Sequence, residues 1–108
     1  MTADHYTYRV HFSPADGEYV ATVAEFASLS WLDASPVGAL QGLIQVVADV
    51  IEDLRASGEP VPAPLSDREY SGKFMVRIPP DAHRRLAIEA AEQHVSLNRL
   101  VADRLAVA

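Results

Sequence analysis

Lys73, Met75 and Arg77 alternate along the chain with Phe74, Val76 and Ile78. Successive side chains of an extended backbone point to opposite faces, so this spacing sets two cations and a thioether against three apolar groups. Lysine and arginine pair with guanine O6 and N7, and a two-stranded ribbon is narrow enough to enter a DNA major groove. The polar face therefore has the chemistry of base recognition, provided that something supplies a second strand. Pro79 and Pro80 end the extended run, because neither donates a ladder hydrogen bond, and Asp81 follows where a carboxylate complements a helix dipole. Helical patterns come next, over residues 81–93 and 97–106. One strand followed by two helices leaves the strand's backbone groups unpaired. The economical partner is the same segment of a second copy across a two-fold axis. Phe74, Val76 and Ile78 would then enter a core shared by both copies.

The helices are patterned for that arrangement. In the first, Leu86, Ala87, Ala90 and Ala91 lie on the inward side and Arg84, Arg85, Glu89 and Glu92 on the outward side. In the second, Leu97, Leu100, Val101 and Leu105 form the inward stripe, with Arg99 and Arg104 outside. So short a segment buries too little surface alone, which makes dimerisation a requirement of this reading.

The whole chain has 108 residues, 49% of them hydrophobic and 22% charged, with no cysteine. That composition is globular and excludes disulfide frameworks and thiolate metal sites. The N-terminus has no basic region followed by an apolar run, so a cytoplasmic protein is expected. Net charge is −6, unevenly spread. Residues 1–70 hold eleven Asp/Glu against three Lys/Arg, a balance of −8, whereas residues 71–108 hold four against six, a balance of +2. Two modules with different partners fit that split.

The front half reads as a small sheet under one helix. Residues 6–12 alternate aromatic or branched with polar side chains, Asp16-Gly17 signals a hairpin, and residues 18–23 return, with Tyr19, Ala21 and Val23 on one face. A third extended piece spans residues 29–32 around Trp31. Ser35-Pro36 then caps a helix that runs to about Ala56, where Ser57-Gly58 stops it. Val37, Leu40, Ile44, Val47, Ile51 and Leu54 form its expected core stripe. Leu43, Val46 and Val50 widen the apolar zone, leaving open an oligomer interface or a deep core. Gln41, Gln45, Asp49, Glu52 and Asp53 exclude a membrane span. Prolines at 60, 62 and 64 make residues 59–71 an extended linker between a front domain, 1–58, and a tail domain, 72–108.

Catalytic groups are sparse. His5, His11, His83 and His94 lack metal-ligand spacing, and no phosphate-binding glycine loop or nucleophile elbow occurs. Asp49, Glu52 and Asp53 read as a solvated acidic face. No catalytic residue, metal or cofactor is expected.

Residues 72–106, through Lys73-Phe74-Met75-Val76-Arg77-Ile78-Pro79, the helix behind them and the turn Val95-Ser96-Leu97-Asn98, resemble the ribbon-helix-helix DNA-binding family. The resemblance implies base reading by Lys73, Met75 and Arg77, with Met75 suited to a thymine methyl. It also implies a phosphate grip by the backbone N–H groups at Ser96, Leu97 and Asn98, as a serine-capped helix N-terminus allows. The order of all elements is similar to that of the HicB antitoxins, carried by residues 8–14, 16–23 and Asp33-Ala34-Ser35-Pro36 leading to Ala39-Leu40. Asp33 and Ser35 stand where members of that family often have glycine and threonine. This resemblance implies an α+β fold: a small antiparallel sheet covered by one long helix, a reduced ribonuclease-H-like module, joined to a ribbon-helix-helix dimerisation module. It further implies a HicA-type ribonuclease toxin as partner, operator DNA as ligand, and repression of the chain's own operon. No toxin-facing residue is assigned, and dimer or tetramer is left open. Residues 6–12 contain no carboxylate for a two-metal ribonuclease site, so no nuclease activity is expected. The alternative is a stand-alone regulator whose front domain senses a ligand or mediates oligomerisation; a metal-dependent hydrolase is disfavoured.

Overall fold

The computed structural model describes residues 3–107 and divides into two compact units, Met1–Tyr70 and Ser71–Ala108. Among the described residues the architecture is α+β, with a three-stranded antiparallel sheet and three α-helices.

In the first unit, β1 (Tyr8–Ser13), β2 (Glu18–Val23) and β3 (Ser30–Asp33) lie in the order β1-β2-β3. Gly17, at φ 65°, turns the β1–β2 hairpin and donates its N–H to the Ser13 carbonyl at 2.9 Å. The register pairs Val10 with Ala21 and Ala21 with Trp31, so these three share the face that α1 (Pro36–Ala56) covers. Arg9, His11, Val20, Thr22 and Leu32 occupy the open face by alternation. Ser35 caps α1, its hydroxyl accepting from Gly38 N at 2.9 Å, and Pro36 fills the first position where no N–H is needed. Gly58, at φ 72°, ends it, with Glu59 N donating to the Leu54 carbonyl at 2.8 Å.

β1 begins at Tyr8, two residues later than the sequence suggests, because Tyr6 has another task. Its side chain is buried, meets the Phe26 ring edge-on at 5.3 Å, and donates its hydroxyl to the Pro62 carbonyl at 2.7 Å. The core stripe of α1 also differs from the expected one. Ala39, Leu43, Val47 and Ile51 are buried, whereas Val37 is 63% exposed. Two glycines explain the rotation. A Cβ on Gly42 would lie 2.1 Å from the Trp31 indole, and one on Gly38 2.2 Å from the Asp33 carboxylate, so only glycine lets β3 approach this flank. The helix rolls accordingly and brings Leu43 to the centre of the core. No helix of the described residues is long and apolar enough to cross a membrane.

The proline-rich stretch after α1 lies on the first unit. Pro64 is fully buried, Val61 packs on the core, and Leu65 N donates to the Glu25 carboxylate at 2.8 Å. The same carboxylate accepts from Thr7 N and the Thr7 hydroxyl, both at 3.0 Å. The Ser66 hydroxyl donates to the His5 carbonyl, and His5 Nδ1 lies 3.0 Å from Asp67. Residues 61–67 thus form a strap tied to the segment ahead of β1, to Glu25 after β2 and to the core.

The second unit consists of an extended stretch, α2 (Pro80–Glu92) and α3 (Leu97–Leu105). The strand expected over residues 73–78 does not form within the single chain: the stretch has no strand pairing. The physical reason is the one that prompted a second copy, since a ladder needs two strands and this unit holds one. Ala87, Ala91 and Leu105, expected to face inward, are exposed, and among the described residues of this unit only Ala90 and Leu100 are buried.

Candidate nucleic-acid interface

Gly72, at φ 80°, opens the extended stretch, and Pro79 precedes α2 with its own φ held at −59°. Between them Phe74 is 77%, Met75 83% and Val76 60% exposed. The alternation read from the sequence holds in space from Phe74 to Ile78. Phe74, Val76 and Ile78 line a groove of about 730 Å³, faced across it by Leu86 of α2 and by Leu97, Val101 and Leu105 of α3. Met75 and Arg77 do not line it; Lys73, expected with them on the outer face, does, at the start of the stretch. So an apolar trough lies open beneath a backbone run whose donors and acceptors lack a strand partner.

The α2–α3 turn is built by local chemistry. His94 adopts φ 58°, a left-handed conformation rare for a side chain with a Cβ, and Val95 N donates to the Ala90 carbonyl at 3.0 Å. Ser96 then caps α3, its hydroxyl accepting from Arg99 N at 3.0 Å. Leu97 is half-buried toward the groove, and Asn98 is exposed at its rim. Ser96, Leu97 and Asn98 thus stand together at the positive end of the α3 dipole. Lys73, Phe74 and Asn98 line one groove, which brings the start of the stretch and the α3 N-terminus to the same cavity.

Charge pairing separates the cations. Arg104 pairs with Glu89 across the two helices, and Arg99 with Asp103 at 3.2 Å. Among the described residues Lys73, Arg77, Arg84 and Arg85 make no ion pair, which leaves them available to phosphate. Arg84 and Arg85 were read from the sequence only as outward-facing; their lack of a carboxylate partner is visible only in the structure. His83 also borders the groove, a position that its place on the α2 wheel did not single out. Among the described residues, no group of three or more His, Asp and Glu gathers to hold a metal ion.

No curated protein and no solved structure matches the chain. A family model does match residues 57–105, from the last turn after α1 through the strap, the extended stretch and both tail helices. That family is HicB, to which the chain is similar over this span.

Proposed function

We propose that the chain is a cytoplasmic antitoxin of the HicB type, which binds and neutralises a small HicA-type ribonuclease toxin and represses its own operon. The reading rests above all on the extended stretch with an unpaired backbone, whose apolar half lines an open groove and whose Met75 and Arg77 point elsewhere. A second copy would close that groove with its own Phe74, Val76 and Ile78 and pair the two stretches as a ribbon-helix-helix dimer. Lys73, Met75 and Arg77 of both copies would then enter the DNA major groove, with Ser96, Leu97 and Asn98 holding phosphate. The front unit, a reduced ribonuclease-H-like module at −8, would steer onto a basic, RNA-gripping toxin and mask it. The chain carries out no catalysis in this scheme.

Arg77→Ala tests the DNA side. On the promoter fragment upstream of the chain's own gene, specific binding should weaken by about 1–3 kcal/mol, with sequence discrimination relaxed. Unchanged affinity would remove the stretch from DNA reading. On the toxin side, affinity should fall as salt rises; an indifferent complex would argue against charge steering.

A further inference from the structure

β1 is an edge of the front sheet. Ala24 N donates to the Thr7 carbonyl and Gly17 N to the Ser13 carbonyl, so residues 7 and 13 turn their backbone groups toward β2. By alternation Tyr8, Val10 and Phe12 turn theirs outward. The register runs unbroken from Tyr8↔Val23 to Ser13↔Glu18, so no bulge twists the edge away. Neither proline nor lysine interrupts the strand, and its two basic residues, Arg9 and His11, lie on the open face. Bulges, prolines and inward-pointing charges are devices by which sheet proteins protect an edge, and β1 has none of these; its one fixed charge, Arg9, lies on the open face. The opposite edge is shorter, four residues, with Trp31 folded onto Gly42.

An apolar strip runs beside that edge. Gly38 and Gly42 turn toward β3, so positions 37, 40 and 44 lie on the flank of α1 toward β1. There Val37 is 63% and Phe12 50% exposed. Leu40, Ile44 and Val10 are half-buried between them and the core.

We propose that the β1 edge and this strip receive an extended strand of a basic protein, which adds a fourth strand to the sheet. Backbone pairing along Tyr8, Val10 and Phe12 would hold it, and alternate apolar side chains would settle against Phe12, Val37 and Leu40. The proposal rests on the toxin-binding reading above and gives that reading its surface. Charge selects the occupant. A second front unit at −8 would meet its own sign, whereas a basic chain meets the opposite one.

The test uses the full chain co-expressed with the small basic protein encoded beside it. Val10→Pro removes an outward N–H and leaves the β1–β2 ladder its donors; Phe12→Lys sets a cation on the strip. Each should weaken the complex at least about tenfold while far-UV circular dichroism holds, and His11→Ser on the open face should leave affinity unchanged. Should Val10→Pro disturb folding, Phe12→Lys, at an exposed position, decides alone. A complex indifferent to both changes overturns the edge and leaves the antitoxin reading standing. No complex with the unaltered chain overturns both. If the changes alter only the mass of the free chain in light scattering, the edge serves a second copy and the proposal falls.

Discussion

The two units solve the same problem to different extents. The front unit closes a core around Leu43, Val47 and Ala21, each fully buried, with a helix over one sheet face and a strap along its side. The tail buries Ala90 and Leu100 and leaves Phe74, Val76, Ile78 and Leu105 exposed around a groove. Both stretches carry clean apolar periodicity, yet only one uses it internally. An apolar pattern specifies that something will be covered; it does not specify that the same chain will cover it.

The largest difference between the units should appear on cutting into their cores. Leu43→Ala should cost the front unit about 2–5 kcal/mol, read by urea titration, without altering the helices of the tail. The tail offers the converse experiment at an exposed side chain. If Phe74 had no partner, Phe74→Asp would fall within about 0.5 kcal/mol of neutral, as ordinary surface changes do. Burial against a second copy instead predicts a loss of about 2 kcal/mol or more per protomer and a monomer in sedimentation at concentrations where the parent is dimeric. A neutral Phe74→Asp would erase the contrast between the two units.

A smaller effect should follow from releasing the strap. Burial pushes the Glu25 carboxyl pKa up, but hydrogen bonds from Leu65 N, Thr7 N and the Thr7 hydroxyl outweigh it and leave the value below the ordinary one. Glu25→Gln should therefore loosen the strap by about 1–2 kcal/mol, seen as faster hydrogen exchange at the Leu65 amide. The acid dependence has a definite sign. A lowered carboxyl pKa stabilises above its unfolded value of 4.5 and ceases to do so as pH falls through the folded one. His5 behaves oppositely: the hydrogen bond and charge of Asp67 raise its pKa, so its contribution is complete below 6.5 and fades as pH rises past the raised value. The strap should hold best between these limits, and Leu65 protection measured across pH should peak there. The smallest effect is a gain. His94→Gly should stabilise the tail by about 0.5–1 kcal/mol, because glycine adopts the left-handed turn without a Cβ penalty. Thermal melting of the tail helices checks it.

Much of this fold is legible in local signals. Asp16-Gly17 marks the hairpin, Ser35-Pro36 and Ser57-Gly58 bracket α1, and Ser96 opens α3, each because one residue meets a backbone need within a few positions of itself. What the sequence hides is nonlocal. The rotation of α1 depends on Trp31 reaching Gly42, and the strap depends on Glu25 meeting Leu65, contacts that no period announces. The candidate site divides likewise. The alternation of residues 74–78, the lack of a second strand in the tail and the Ser96 cap can be read directly, but the place of Lys73 on the groove wall cannot, because it depends on how α3 lies beside the stretch. Which of the tail's cations are neutralised by Glu89 and Asp103 also waits on coordinates.

Trp31 is the protein's one tryptophan, and it rests on α1 at Gly42, 43% exposed. Its emission therefore reports the joint between β3 and the helix. Every tyrosine also lies ahead of residue 71, which leaves the tail without a fluorophore stronger than Phe74. Tryptophan emission thus follows the unfolding of the front unit by itself, and set beside the helical circular dichroism of the whole chain it times the order in which the two units unfold without an attached label.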